Sequence, residues 1–335
     1  MRKMLVLAGL TLGLAAPAMA QDFTVEVTRI GALTGPDAPV DMKAPDICGT
    51  DIGTMAEIGD RILMAFGDTF GWQDGRCQRF GPNWRSNVLA FTSDMNPSDG
   101  VAIESWYTGD DGRAKAIAEG VHQDAFKGEQ SRIPTAMVTV GDTVYLHTMS
   151  VHGFATMGGV WLCNNSRFYS STDEGATWKA APTTFGDYKS SFNRLALSAA
   201  AGAGNEDGAY VYAVGTPCGR YAGALLARVP ADSIVDNAAW EYFDGEDWSA
   251  NRADATEIIK PGVGEGSLAW NAGLAKWMYT TLNELAAQIE VRLAEDLTGP
   301  WQIQSFLRRS RMSLRLTALS SPHRGSAPMA ERSIL

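Results

Sequence analysis

Short apolar runs punctuated by glycine, asparagine and aspartate recur along most of this chain, and they come in groups. The first group is 49–55, 62–68 and 87–92; the second is 136–140, 143–151 and 167–171. The third is 195–198, 209–215 and 222–229, and the fourth is 267–270, 276–282 and 289–293. Each run has strand length and strand composition. Three or more short strands repeating at blade-sized intervals predict an all-β propeller, whereas a sandwich would group less regularly. A strand-like run at 23–28 reads as the piece that completes the last blade, which would leave no open edge. Four groups plus that shared closing blade predict five blades. Helical periodicity is confined to one short run, 111–121, placed in a connection.

One motif supports the propeller. Ser171-Thr-Asp173-Glu-Gly175-Ala-Thr177-Trp178 fits the Asp box, S-x-D-x-G-x-T-W, at all its fixed positions. In that motif Asp and Gly shape a tight turn between outer strands of a blade and Trp packs between strands. Asp173 and Trp178 are therefore read as structural.

The first group holds an electrostatic oddity. Gly59-Asp60 reads as a two-residue hairpin turn. That register pairs Ile58 with Arg61 and, carried outward, sets Asp51 opposite Asp68. Cross-strand partners lie about 4.5–5.5 Å apart at Cβ, and like charges there destabilise. Two facing carboxylates flanked by glycines suit acid/base chemistry on sugars, with mutual repulsion raising one pKa to supply the proton donor. The alternatives are strand-end capping or a bound calcium, since paired carboxylates also suit a hard cation. No other cofactor is expected.

The ends of the chain read differently from its middle. Arg2-Lys3, an apolar run from Leu5 to Ala16, and Ala18-Met19-Ala20 form a signal peptide over residues 1–20, cleaved before Gln21. No second apolar stretch would anchor the product, so a secreted or periplasmic monomer is expected. The domain itself is read as 21–306. Beyond Phe306 arginines at 308, 309, 311, 315, 324 and 332 face a single acid, Glu331, and aromatic residues stop. Residues 307–335 read as a disordered or frame-shifted basic tail, which would leave the last blade incomplete.

The formal net charge of −10 argues against nucleic acid as a partner. Four cysteines, Cys48, Cys77, Cys163 and Cys218, suit two disulfides after export, with three connectivities open. A bridge between Cys48 and Cys77 would brace the acid hairpin. Zinc is disfavoured, because no C-x-x-C spacing occurs.

Taken in order, several strings give the chain a family likeness. They are Gly49-Thr-Asp51-Ile-Gly53, Phe66-Gly-Asp68-Thr-Phe70, Trp84-Arg-Ser-Asn87 and Ser150-Val151, then Gly215-Thr-Pro217-Cys-Gly219-Arg220, Gly264-Glu265-Gly-Ser267, Trp270-Asn271 and Thr298-Gly-Pro300-Trp301. Over roughly 30–301 the chain resembles the DUF4185 family. Some members of that family are endo-acting D-arabinanases of glycoside hydrolase family 183, similar to five-bladed propeller glycosidases with acids at the mouth of the central channel. The resemblance implies that Asp51 and Asp68 carry catalysis, that Glu265 is a third acid, and that the partner is a polysaccharide or oligosaccharide.

Other residues join the candidate list on chemistry alone. Arg85, Asn87 and Arg220 could order an acid or bind hydroxyls, or could instead bridge blades. His147 and His152 sit on or beside one strand, where packing is the commoner role; His147 is retained as a substrate-binding candidate. Trp161 is preferred to Trp270 as a stacking surface for a sugar ring. Arg132-Ile133-Pro134 upstream of an Asp box also resembles sialidases, in which that arginine binds the substrate carboxylate. Asn164-Asn-Ser166 is a glycosylation sequon. The reading is a secreted glycoside hydrolase acting on a furanose-containing, D-arabinan-like polysaccharide, with a non-catalytic carbohydrate-binding propeller as the alternative.

Overall fold

The computed structural model describes residues 28–308, except 79, 119 and 187–189. The expected signal peptide, the closing strand at 23–28 up to residue 27, and the expected 307–335 tail from 309 onward lie outside the described residues, while 307 and 308 belong to a strand.

The chain forms an all-β propeller, with four blades among the described residues. Blade 1 opens with the hairpin: β1 (Gly49–Thr50), β2 (Gly53–Ile58), β3 (Arg61–Phe66) and β4 (Thr69–Phe70). It is completed by β5 (Val88–Thr92) and β6 (Ser105–Trp106), in the order β2-β3-β5-β6, while β1 pairs with β4. Blade 2 is the meander β7 (Ser131–Val140), β8 (Thr143–Phe154), β9 (Trp161–Ser171) and β10 (Lys179–Phe185). Blade 3 holds β11 (Arg194–Ser198), β12 (Tyr210–Thr216), β13 (Ala224–Pro230), β14 (Glu241–Phe243) and β15 (Trp248–Ser249), and β16 (Glu257–Ile259) also pairs with β13. Blade 4 is β17 (Val263–Asn271), β18 (Lys276–Asn283), β19 (Gln288–Ala294) and β20 (Gln302–Arg308). All pairings are antiparallel. The fifth blade of the sequence reading falls on residues outside the described ones.

The sheets stack face to face, so their middle strands are buried on both sides. That explains why β3 and β5 read as near-continuous apolar runs rather than as alternating strands. The core lies between blades. Phe168, Phe185, Phe192 and Trp240 fill the space between blades 2 and 3, and Leu268, Trp277, Tyr279 and Trp301 that between blades 3 and 4. Leu63, Leu89, Met137 and Leu146 join blades 1 and 2.

The Ser171–Trp178 segment makes the turn from β9 to β10. Asp173 accepts from the Thr177 amide at 2.9 Å, the Gly175 amide donates to Ser171 Oγ at 2.8 Å, and Trp178 Nε1 donates to the Gly175 carbonyl at 3.1 Å. Gly175 has φ +88°, and a Cβ there would meet Leu63 of blade 1 at 2.8 Å. The glycine is thus required twice, by the backbone and by the neighbouring blade.

The run at 111–121 is not a helix. It forms turns and one isolated bridge, Thr108 with Ala114. Asn87 explains the outcome, because its side-chain oxygen accepts the amides of Ile117 and Ala118 at 2.8 and 3.0 Å. Those amides are held by a side chain in an extended path instead of by a helical turn. In the sequon, Asn164 is half-buried and Ser166 is fully buried within β9.

Candidate active site

The first strand of each blade, β2, β7, β11 and β17, lines one central channel. Their starts, at Ile52, Pro134, Arg194 and Glu265, surround a cavity of about 30 Å³, room for roughly one water. Their ends, at Glu57, Thr139, Ser198 and Ala269, surround a wider one of about 410 Å³. The four strands therefore enter the channel from the same face. The connections from second to third strand return to that face as well. It receives charged side chains from every described blade.

Regular pairing breaks down at this face. In blade 1 the register runs Ile58 with Arg61 out to Gly53 with Phe66 in β2–β3, then resumes with Thr50 against Thr69 in β1–β4. Asp51 and Asp68 occupy the break, directly opposite each other as the hairpin register requires. The Asp51 amide donates to the Asp68 carbonyl at 2.9 Å, and the Gly67 amide reaches both the Asp51 and Ile52 carbonyls. Blade 4 shifts register between Val263 and Gly266, and blade 2 between Pro134 and Ala136. Such bulges re-aim side chains, and Glu265 lies on one of them.

The two acids of the hairpin stand in unlike surroundings. Asp51 is exposed and its Oδ1 accepts its neighbour's amide, from Ile52, at 3.0 Å. Asp68 is half-buried, and its Oδ1 accepts Trp84 Nε1 at 2.8 Å and Ser131 Oγ at 2.5 Å. Burial pushes the Asp68 carboxyl up to about 6; the two donors pull it down, and the charge of Asp51 adds the smallest upward push. Repulsion between the acids is thus not the main cause of the raised value, contrary to the sequence expectation. Desolvation is.

Opposite this pair, Glu265 is held by two arginines. Arg220 Nε donates to Glu265 Oε2 at 2.8 Å and its Nη2 to Oε1 at 3.0 Å. Arg194 Nη1 lies 3.5 Å from Oε1, and Arg220 also reaches Glu284 at 3.5 Å. Burial alone would raise the Glu265 carboxyl, but the Arg194 and Arg220 guanidiniums outweigh it and hold the group below the usual range. Trp161 forms the floor: both guanidinium carbons lie 5.5 Å from its ring centroid.

The disulfides brace this face. Cys48–Cys77 closes over the acid hairpin, the pairing the sequence suggested. Cys163–Cys218 ties β9 to the loop that carries Arg220, whose amide donates to the Gly159 carbonyl at 2.9 Å.

Three expected substrate contacts prove to be scaffold. The Arg85 guanidinium donates to the carbonyls of Ala114 and Asp46, at 3.1 and 2.7 Å. Asn87 is fully buried and its amide group also donates to the Ala118 and Arg132 carbonyls. His147 has no exposed surface, meets Thr135 Oγ1 at 2.5 Å and packs on Phe168, and burial drives its pKa down to about 3. All three are polar residues whose hydrogen bonds lie inside the fold. His152 bonds the Gly128 carbonyl, and Trp270 packs on Trp277 within blade 4. Arg220 does reach the site, whereas Trp161 is buried beneath the two guanidiniums and is no open stacking surface.

The sequence reading missed Glu129. It is buried just before β7, where it pairs with Arg132 and accepts Ser150 Oγ at 2.6 Å. A signal was present: Asp51, Glu129, Arg194 and Glu265 all stand at the start of an innermost strand. Trp84 and Ser131, the donors to Asp68, were also missed as functional groups. Among the described residues no group of three or more His, Cys, Asp or Glu side chains is arranged to hold a metal ion.

Residues 39–322 match the domain of unknown function DUF4185. The chain belongs to that family. The matched span contains every charged residue of the face described above. No curated protein matches the DUF4185 chain. Among solved structures it is similar to a family 117 glycoside hydrolase from Zobellia galactanivorans, at 12% identity, TM-score 0.49, covering 83% of this chain and 74% of that one. An α-L-arabinofuranosidase from Clostridium thermocellum aligns at 12% identity and TM-score 0.47, over 75% and 70% of the two chains. A xylan β-1,4-xylosidase from Bacillus halodurans aligns at 12% and 0.46, over 78% of this chain but 43% of that one. The DUF4185 chain thus spans less than half the length of that xylosidase.

Proposed function

We propose that this chain is a glycoside hydrolase whose acid is Asp68 and whose second carboxylate is Asp51, acting as base or nucleophile. The observation that carries the reading is the unlike pair itself. Two acids face each other across one hairpin at the channel mouth; one is desolvated and titrates near 6, and the other stands in water. Pairs whose surroundings push their titrations apart are how one site supplies both a proton donor and an anion. Glu265, held ionised, assists by fixing the Arg220 guanidinium at the channel mouth. Arg220 is the retained sugar contact, with Trp161 buried beneath it as its support.

The substrate class follows the family resemblance: a furanose-containing polysaccharide of D-arabinan type. Export to the periplasm or beyond fits the two disulfides. A sialidase-like reading loses its main support, because Arg132 is paired with buried Glu129 rather than open to a substrate carboxylate.

The test is to incubate the chain with D-arabinan and a panel of other polysaccharides, beside Asp68→Asn and Asp51→Asn. Shorter oligosaccharides from D-arabinan with the parent protein alone are expected. Binding of oligosaccharides without release of shorter products would establish a carbohydrate-binding propeller instead.

A further inference from the structure

Asp68 uses its two carboxyl oxygens unequally. Oδ1 accepts both Trp84 Nε1 and Ser131 Oγ. A carboxyl oxygen has two lone pairs, so two donors fill it. An indole N–H donates only, and a proton placed on Oδ1 would confront it. Among the described residues both side-chain donors to Asp68 meet Oδ1 and none meets Oδ2. Both donors are themselves held. Ser131 is fully buried at the start of β7. Trp84 is stacked against His122 at 4.1 Å between centroids and against Phe70 at 6.0 Å, and His122 Nε2 bonds Ser86 Oγ at 2.8 Å.

We propose that Trp84 and Ser131 are positioning residues that fill Oδ1 of Asp68 and leave Oδ2 as the one atom from which a proton passes to substrate. The inference rests on the glycosidase reading for its last step and on geometry alone for the rest. In that step the Oδ2–H bond breaks and the proton goes to the oxygen of the leaving sugar. The bond between that oxygen and the anomeric carbon breaks with its electron pair on the oxygen. Asp68 is left as a carboxylate, and its two donors already point at the charge that develops. Preorganised donors of this kind favour the product of proton transfer without any rearrangement.

Among the described residues, charged and titratable groups stand on several sides of Asp68. Asp51 faces it across the hairpin, His122 lies behind Trp84, and the Glu129–Arg132 pair flanks Ser131 on the strand below. Ser131→Ala alters none of them, whereas Trp84→Phe also changes the ring on which His122 stacks. Each removes one donor to the ionised carboxyl, so each raises its midpoint, by about half to one pH unit.

Carbon-detected NMR titration of Asp68, with the Trp84 indole N–H signal followed in parallel, tests this without any substrate. In the parent protein the indole signal moves with the same midpoint as the carboxyl. Trp84→Phe and Ser131→Ala each shift the Asp68 midpoint upward, and Ser131→Thr, which keeps a hydroxyl, restores it. An indole signal that ignores the titration of Asp68, or midpoints unmoved in both variants, would overturn the proposal. A titration that behaves as described in a protein that cleaves no glycan would leave the positioning intact and remove the glycosidase reading. In an active protein the alkaline limb of the rate profile follows the same upward shifts, which a merely structural role would not produce.

Discussion

Two acids on the same face of this propeller are buried to similar purpose but in opposite company. Asp68 is met by an indole N–H and a hydroxyl, both neutral. Glu265 is met by two guanidiniums. Burial alone raises both carboxyls. Neutral donors only moderate that effect, and Asp68 stays raised; full positive charges reverse it, and Glu265 falls. The type of partner, rather than depth, decides which acid can hold a proton near neutral pH. On one side of the channel mouth the carboxyl is pushed toward its protonated form, and on the other toward its ionised form.

The comparison breaks first at activity. Asp68→Asn preserves shape and still accepts from Trp84 and Ser131, but it has no acidic proton. Its rate on a cleavable glycan should fall about 10²–10⁴-fold, the range general acid catalysis supplies. An Asp68→Asn protein that keeps full activity would sink the assignment.

Stability separates the two acids next, and with opposite sign. Glu265→Gln leaves Arg194 and Arg220 facing a neutral group, and breaking such a pair costs about 3–5 kcal/mol. The Glu265 contribution is present above the ordinary glutamate pKa and is lost as pH falls through its lowered folded value. Asp68 behaves in reverse. Between 3.8 and about 6 the folded state holds a proton that the unfolded chain has released, so stability falls as pH rises through that window. Asp68→Asn should therefore stabilise the protein near neutral pH, by about 1–3 kcal/mol, with the gain vanishing at acid pH. Denaturant unfolding of both variants across pH gives the two signs. Shifts in the same direction would erase the distinction between the two sides.

How much of this was legible in the sequence depends on the reach of each interaction. The hairpin register came through residue by residue, because Gly59-Asp60 fixes the turn and pairing propagates from it. The twelve strands of the four predicted groups all appear, since middle strands buried on both faces are apolar runs. The fourth strands β6, β10, β14 and β20 did not stand out, because they are short or face solvent and lack that pattern. Arg85, Asn87 and His147 were misread for the converse reason. A polar residue beside an acid motif looks functional until its partners, the carbonyls of residues distant in sequence, are known. The Arg194–Arg220–Glu265 cluster draws on two blades, and no local spacing reveals it. Glu129 was within reach only by comparing equivalent positions at the start of each inner strand.

The smallest effect asked of the comparison is also the one that tests how the pair works. The sequence suggested that Asp51 raises Asp68 by repulsion. In the structure burial is the largest cause and Asp51 the smallest. Asp51 is exposed, so water screens its charge. Asp51→Asn should then lower the Asp68 midpoint by only a few tenths of a pH unit, and added salt should do little more, because salt screens charges but leaves desolvation in place. The Asp68 carboxyl titration measures both. A fall of a full unit or more would mean that the two acids titrate as one coupled dyad, and that Asp68 owes its proton to the acid opposite rather than to the wall that buries it.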